Sequence, residues 1–190
     1  MEPQPEEYAR IRSYLVDQGA KLSPAALITK LRALDPLEAT CVEARAAWTA
    51  KKYDEATAKT VEFLHGLRRD PWSDLALGSR CLQLAGLLPK RAQQPAALEA
   101  LAEAVSQPFA VSLHEVQRLA VAREIALARP RERCAAAFEL SEPLPEWTLS
   151  SLEQRAACYG TTGHPLAAQA AVDLRAFLRE EPPRLGQGLD

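Results

Sequence analysis

Apolar residues along this chain recur at the spacing of α-helices. In residues 55–67, one helical stripe is formed by Ala56, Thr60, Phe63, Leu64 and Leu67. Residues at i, i+3, i+4 and i+7 share one face of a helix, so this spacing indicates a buried helical face. No stretch alternates apolar and polar residues for long, and strong helix formers outnumber β-branched residues. The pattern predicts an all-α protein.

Five of the 14 prolines divide the helical sequence into segments of nearly constant length. Each follows an acidic or amide residue, and successive prolines are separated by 35, 37, 35 and 39 residues. The five dipeptides are Asp35-Pro36, Asp70-Pro71, Gln107-Pro108, Glu142-Pro143 and Glu181-Pro182. Proline is tolerated at a helix start but disrupts a helix interior, so it marks boundaries here. A period in the thirties is typical of arrays of helical pairs.

Each interval between these prolines divides into two helices of ordinary length. The predicted pairs are 37–50 with 53–68, 72–87 with 95–106, 113–128 with 130–140, and 149–161 with 165–180. Residues 1–35 are predicted as an N-terminal capping hairpin, with helices at 6–18 and 24–34. Residues 36–181 are predicted as four stacked antiparallel hairpins, which would make an α-solenoid of about ten helices in total. Residues 182–190 are predicted as a disordered tail.

Local signals predict how several helices begin and how one pair is joined. Ser112-x-x-Glu115 and Ser150-x-x-Glu153 have the spacing of capping boxes, in which each side chain binds a free backbone N–H. Pro24, Pro130 and Pro165 are predicted to begin helices. Residues 88–95 are predicted as an extended turn within the second pair.

The last predicted pair resembles a tetratricopeptide repeat. In that family a small residue, an aromatic residue three later, a glycine four later and an alanine five after that mark where two helices touch. The positions that carry the resemblance are Ala156, Tyr159, Gly163, Ala168 and Asp173. The resemblance implies that Ala156 and Ala168 let the helices approach while Tyr159 fills the groove between them. It also implies a non-catalytic scaffold or adaptor that binds an extended protein or peptide on a concave face.

Arginine recurs once in the first helix of each predicted pair, at Arg45, Arg80, Arg118 and Arg155. If these side chains lie on one face, they form a ladder that suits an acidic segment, because guanidinium groups bind carboxylates in a bidentate manner. The alternative is a structural role, and we expect Arg155 to pair with Asp173 across its hairpin. The charge-rich region around Arg118 and Arg123 also has two interpretations, a salt-bridged surface or a docking patch.

The tryptophans complete the set of partner-binding candidates. Trp48 lies on a helix that should face the inner surface of the array, although core packing is the alternative for a large aromatic side chain. Trp72 and Trp147 follow repeat prolines and are predicted to pack as anchors at helix starts. The predicted partner-binding residues are Arg45, Trp48, Arg80, Arg118 and Arg123.

Composition and motif content argue against several classes of function. A net charge of -2 and a pI near 6.0 disfavour nucleic-acid binding and polybasic attachment to membranes. The eight glycines form no phosphate-binding loop, and the three histidines are far apart. We therefore predict no catalytic residue, no metal and no cofactor. The four cysteines, Cys41, Cys81, Cys134 and Cys158, lie in apolar helical stretches and are predicted to be reduced and buried.

Location and biological setting are predicted from the character of the N-terminal residues, the lengths of the apolar runs and one local similarity. The chain has no apolar run long enough to cross a membrane, and its acidic start lacks the features of a signal peptide, so we expect no membrane insertion and a cytoplasmic location. The stretch from Phe63 to Leu82 is similar to small helical proteins of proteobacteria that carry secretion systems. That similarity implies an accessory or chaperone-like component of a secretion or envelope assembly. A structural homo-oligomer is a further alternative, and the oligomeric state stays open.

Overall fold

The computed structural model describes residues 24–128 and 134–180. Within these ranges the chain forms nine α-helices and no β-strand, which confirms the all-α prediction. The helices are α1 (Pro24–Leu34), α2 (Pro36–Thr49), α3 (Tyr53–Arg69), α4 (Leu75–Leu87), α5 (Pro95–Ser106), α6 (Ser112–Ala128), α7 (Ala135–Glu139), α8 (Leu149–Thr162) and α9 (Ala167–Glu180). The predicted helix 6–18, the helix start at Pro130 and the predicted tail 182–190 lie outside the described residues.

Acidic side chains determine where two of the helices begin. Asp35 caps α2, because its carboxylate accepts a hydrogen bond from the backbone N–H three residues later at 2.8 Å. α4 begins at Leu75, three residues after the predicted start. Asp74 caps that helix by accepting from the backbone N–H of Ala76 at 2.8 Å. The residues before Asp74 therefore form a loop.

The two predicted capping boxes are wrong in detail. Glu115 reaches past Ser112 to the backbone N–H of Phe109, which it accepts at 2.9 Å. The N-cap of α8 is Thr148, whose hydroxyl accepts from the backbone N–H three residues later at 3.3 Å. In the first case the predicted side chain binds a different backbone N–H, and in the second case a different side chain caps the helix.

Helices pack mainly against near neighbours in the chain. α1 packs against α2, α2 against α3, and α8 against α9. Contacts also join successive pairs, since α4 packs against α2 and α6, and α3 packs against α5. α5 is separated from α4 by a turn that begins with a 3-10 helix, Leu88–Lys90, whose Leu88 and Pro89 are buried. This arrangement agrees with the predicted extended turn at 88–95.

Two apolar clusters form the core. The larger one joins α2 through α6 around fully buried side chains such as Phe63, Leu82 and Leu101. The smaller one lies among α6, α7, α8 and α9 around Phe138 and Tyr159. α6 belongs to both clusters, so it connects the two parts of the core.

The last pair departs from the predicted motif at one position. Gly163 ends α8 in the left-handed conformation, with φ 65° and ψ 30°, which favours glycine. Tyr159 is fully buried and packs edge-on against Phe138, with ring centroids 6.2 Å apart. Ala168, however, is exposed, and Ala170 is the buried alanine of α9. The packing role predicted for Ala168 is therefore wrong.

Two of the four cysteines are joined. Cys134 and Cys158 form a disulfide, with Cα atoms 6.1 Å apart, that connects the segment before α7 to α8. The prediction that all four cysteines are reduced is wrong for this pair, because packing brings together residues separated by 24 positions. Cys41 and Cys81 are free and buried.

Candidate functional site

The five predicted partner-binding residues occupy different environments. Arg45 and Arg80 are exposed, and Trp48 is half-buried against the larger core cluster. Arg118 is buried, and Arg123 lies at a cleft between helices. The structure therefore does not present all five residues on one accessible face.

The guanidinium group of Arg118 makes its hydrogen bonds within the chain. Its side chain is 3% exposed and donates to the Glu115 carboxylate from Nε at 2.7 Å and Nη2 at 2.5 Å. The remaining Nη1 donates to the backbone carbonyl of Val105 at 2.5 Å. These contacts connect α6 to the last turn of α5. The prediction that Arg118 binds a partner is wrong, because no part of its guanidinium is available.

Arg155 is the second buried arginine of the recurring set. Its side chain is 2% exposed and donates to Asp173 at 2.6 Å and to Glu142 at 2.7 Å. The predicted pairing of Arg155 with Asp173 across the last hairpin is confirmed. The Tyr159 hydroxyl donates to Glu142 at 3.1 Å. Burial and this contact with a carboxylate raise the pKa of Tyr159 well above its usual range.

Arg68 has a structural role that the sequence did not indicate. From α3 its guanidinium donates to the backbone carbonyls of Ala104 and Gln107, the latter at 2.6 Å, at the end of α5. It also lies 4.4 Å from the centroid of the Phe109 ring. A cation is favourable at a helix C-terminus, where carbonyls lack partners. Burial and the nearby charge of Arg118 lower the pKa of Arg68.

Arg45 and Arg80 are exposed and lie on α2 and α4, two helices that pack against each other. The charges of both guanidinium groups favour the thiolate form of the same residue, Cys41. Its pKa is lowered by a hydrogen bond with Cys81 and further by the charges of these two arginines. In the part of the chain that the structure describes, neither Arg45 nor Arg80 forms a salt bridge. Two exposed positive charges therefore lie on helices that pack against each other.

A cleft of about 400 Å³ lies between α4, α6 and α8, and we call it the first-helix cleft. Amides and hydroxyls dominate its polar lining, namely Gln83, Gln117, Thr148, Ser150, Ser151 and Gln154. Arg123 pairs with Glu146 at its edge and donates to the Ser151 hydroxyl at 2.8 Å. Amide and hydroxyl groups both donate and accept hydrogen bonds. The first-helix cleft is therefore suited to the main chain of a polypeptide.

The three tryptophans differ from their predicted roles. Trp48 packs edge-on against Tyr53, with ring centroids 5.1 Å apart, so its ring has an aromatic partner within the chain. Trp147 is 49% exposed and contacts Phe177 of α9, with ring centroids 6.3 Å apart, just before α8 begins. Trp72 is 84% exposed, so its predicted anchoring role is wrong. It is instead the tryptophan most available to a partner.

A metal site and a membrane-spanning helix are two further features to consider in the described residues. Within 24–128 and 134–180, no three His, Cys, Asp or Glu side chains are grouped in a way that could hold a metal ion. No helix in the same ranges combines the length and apolar character needed to cross a membrane. The chain matches no protein-family model, and no curated protein or solved structure is significantly similar to it.

Proposed function

We propose that this chain is a non-catalytic, tetratricopeptide-like scaffold that binds an extended acidic segment of a protein or peptide across its first helices. The observation that carries the proposal is the exposure of Arg45 and Arg80 on α2 and α4, two helices that pack against each other. Both are exposed, and neither forms a salt bridge with a described residue. Guanidinium groups bind carboxylates through two parallel hydrogen bonds, so two of them would fix both position and orientation of an acidic segment.

The order in which the helices pack supports a solenoid arrangement. α4 packs against α2 and α6, and α3 packs against α5, so the first helices of the first three predicted pairs contact one another, as do the second helices of the first two. The hydrogen bond from Arg123 to Ser151 connects α6 to α8. In a solenoid the first helices form one continuous surface for extended partners. We propose that Arg45, Arg80 and the first-helix cleft lie along that surface.

The distribution of exposed apolar side chains favours a partner on the first helices. Among the described second helices α3, α5, α7 and α9, large exposed apolar side chains occur only at Val172 and Leu178, both on α9. The others lie on α1, α4, α6 and loops, and include Trp72 and Val116. A structural homo-oligomer built through its second helices would need apolar side chains on those helices. The distribution therefore argues against a homo-oligomer built through α3, α5 or α7.

A role in a bacterial envelope assembly is the second candidate, and the Cys134–Cys158 disulfide favours it. Disulfides persist in the periplasm and other oxidising compartments and are rare in the cytosol. Under this candidate function the chain would act outside the cytoplasm, in contrast to the predicted cytoplasmic location. The two candidates share one surface, because an accessory or chaperone-like component also binds a segment of its client.

Charge reversal on α2 and α4 tests the proposed binding surface. We expect a fluorescein-labelled peptide of alternating Glu and Leu to bind the chain, with an affinity that falls as salt is added. The double variant Arg45→Glu/Arg80→Glu should weaken binding by about tenfold or more, as measured by fluorescence anisotropy, because it removes two attractive charges and adds two repulsive ones.

The matched control reverses two exposed arginines elsewhere. Arg175 and Arg179 lie on the exposed face of α9, so Arg175→Glu/Arg179→Glu changes the net charge equally without touching the proposed surface. It should keep the affinity of the unmodified chain. The proposal fails if both double variants bind alike, or if the chain binds a peptide of alternating Lys and Leu as well as the acidic one.

A further inference from the structure

Large apolar side chains are exposed near the starts of the first helices α4, α6 and α8. Trp72 is 84% exposed, Val116 68% and Leu144 85%, while Leu75 and Leu113 are 49% and 50% exposed. Apolar surface of this kind is unfavourable in water, and a contiguous patch of it marks an interaction surface. We call this set of side chains the apolar edge: Trp72, Leu75, Leu113, Val116 and Leu144.

Contacts between α4 and α6 make the apolar edge continuous. Trp72 lies three residues before Leu75, the residue at which α4 begins. The imidazole Nε2 of His114 donates to the backbone carbonyl of Leu75 at 3.2 Å, so the first turn of α6 lies against the start of α4. Leu113 belongs to that first turn, and Val116 follows it by three residues on the same face of α6.

A pocket of about 180 Å³ forms the far end of the apolar edge, between α6 and the loop before α8. Val116, Leu119 and Leu144 provide its large apolar walls. Its two charged lining residues, Arg123 and Glu146, are paired with each other. An apolar side chain can therefore enter the pocket without leaving a charge unpaired.

We propose that the apolar edge is a homodimer interface, in which Trp72 of each copy inserts into the pocket of the other copy. A dimer with two-fold symmetry requires one surface that is complementary to itself. The apolar edge has both parts, a projecting tryptophan and a pocket lined by apolar side chains. A two-fold axis between them brings each tryptophan to the opposite pocket. Tryptophan in an apolar pocket is the type of contact that dominates interface energies.

The exposed area agrees with the area that a stable dimer buries. One tryptophan and four aliphatic side chains with these exposed fractions leave on the order of 500 Å² of apolar surface in water. A standard interface buries about 800 Å² per partner, and roughly 65% of it is apolar in homodimers. The apolar edge can supply that apolar share. A partner that only filled the pocket would leave Trp72 in water, whereas a second copy covers both.

The dimer interface is separate from the proposed peptide surface. Neither Arg45 nor Arg80 belongs to the apolar edge. Failure of peptide binding therefore leaves this inference intact, and a monomeric chain would leave the peptide proposal intact.

Sedimentation velocity of the full chain tests the interface. We expect a monomer–dimer equilibrium, with a dimer of twice 20.8 kDa at about micromolar or higher concentrations. Trp72→Ser should weaken dimerisation by at least about tenfold, whereas Trp72→Phe should retain most of it, because an aromatic side chain still enters the pocket. Leu178→Ser, at an exposed apolar position of α9, is the matched control and should dimerise like the unmodified chain. Circular dichroism checks that each variant is folded.

Cross-linking tests whether Trp72 reaches the pocket of the other copy. A mixture of Trp72→Cys and Leu144→Cys chains is oxidised in air, and the cross-linked dimer is quantified on a non-reducing gel. The mixed dimer keeps one intact tryptophan contact and brings the two new thiols together, so we expect a cross-linked heterodimer. Each variant alone should yield at least about tenfold less cross-linked dimer, since identical positions do not face each other across the axis.

Three results would overturn the proposal. The first is an unmodified chain that stays monomeric up to about 200 µM. The second is equal dimerisation of Trp72→Ser and Leu178→Ser. The third is a mixture of the two cysteine variants that yields no more cross-linked dimer than either variant alone.

Discussion

At the scale of single residues, Gly78 shows how closely α4 and α6 pack. A Cβ atom added at this position would lie 2.3 Å from Nε2 of His114 and 2.4 Å from its Cε1. The His114 ring is fully buried, and its Nε2 donates to the backbone carbonyl of Leu75 at 3.2 Å. The ring therefore cannot move aside without losing a buried hydrogen bond.

We expect Gly78→Ala to lower the free energy of unfolding by about 1–3 kcal/mol, as overpacking does in a tight core. This loss would exceed the gain of roughly 1 kcal/mol that alanine normally brings to a helix interior. Urea denaturation followed by circular dichroism measures the change. Gly160→Ala in α8 is the matched control, since no atom lies within 4 Å of its added Cβ. If Gly78→Ala is as stable as that control, α4 and α6 are not closely packed at His114.

Residue-scale predictions from sequence succeeded where both partners belong to one hairpin. Arg155 and Asp173 are 18 residues apart in a single helical pair, so their contact follows from the pairing of two adjacent helices. Arg118 was predicted to be accessible but is buried, because the end of α5 supplies a carbonyl acceptor at Val105. Exposure depends on the neighbouring helix, which the position of an arginine along its own helix does not reveal.

At the scale of the helix, boundaries depend on which side chain reaches the free N–H groups of the first turn. Asp35 was readily predicted as such a boundary, because proline follows it directly. For α8, two hydroxyl residues compete. The spacing of Ser150 from Glu153 predicted Ser150 as the N-cap, whereas Thr148 caps the helix in the structure. Both are consistent with local sequence rules, and backbone geometry decides between them.

We expect Thr148→Ala to lower the free energy of unfolding by about 1 kcal/mol, because the first turn of α8 loses its side-chain acceptor. Ser150→Ala should change stability by no more than roughly 0.5 kcal/mol, since this side chain is exposed. Thermal and urea denaturation of the two variants provide the comparison. A larger loss for Ser150→Ala than for Thr148→Ala would instead support the capping box predicted from sequence.

At the scale of the whole molecule, α6 connects the two apolar clusters, and Glu115 lies where α6 meets α5. Its carboxylate accepts from Arg118 and from the backbone N–H of Phe109. Burial alone would raise the pKa of Glu115, but these hydrogen bonds and the charges of Arg118 and Arg68 lower it below its usual value of 4.5. A carboxylate whose pKa is lower in the folded than in the unfolded chain adds stability above pH 4.5. That contribution is lost as the pH falls through the folded value.

We expect Glu115→Gln to lower the free energy of unfolding at pH 7 by about 2 kcal/mol or more, because Arg118 then lacks a counter-charge in a buried site. The variant should also lose less stability than the unmodified chain between pH 7 and pH 3, since one titrating group is gone. Urea denaturation across this range measures both effects. Glu153→Gln, at an exposed position of α8, removes a carboxylate without either change. Parallel pH profiles for the unmodified chain and Glu115→Gln would contradict the assigned role of Glu115.

The helical content, the repeating proline boundaries and the approximate bounds of the helices could all be predicted from the amino-acid sequence. These features depend on interactions between residues a few positions apart, such as the apolar stripe that contains Phe63 and Leu64 and the cap at Asp35. They are local, so the order of residues is sufficient to define them.

Only the tertiary structure decided which side chains are accessible and which distant residues meet. The exposure of Trp72, the burial of Arg118 and the Cys134–Cys158 disulfide all depend on how separate helices pack. Such contacts join residues tens of positions apart, and a small rotation of either helix would change them. For this reason the sequence could suggest a binding surface, while packing determined that Arg45 and Arg80, rather than Arg118, remain exposed.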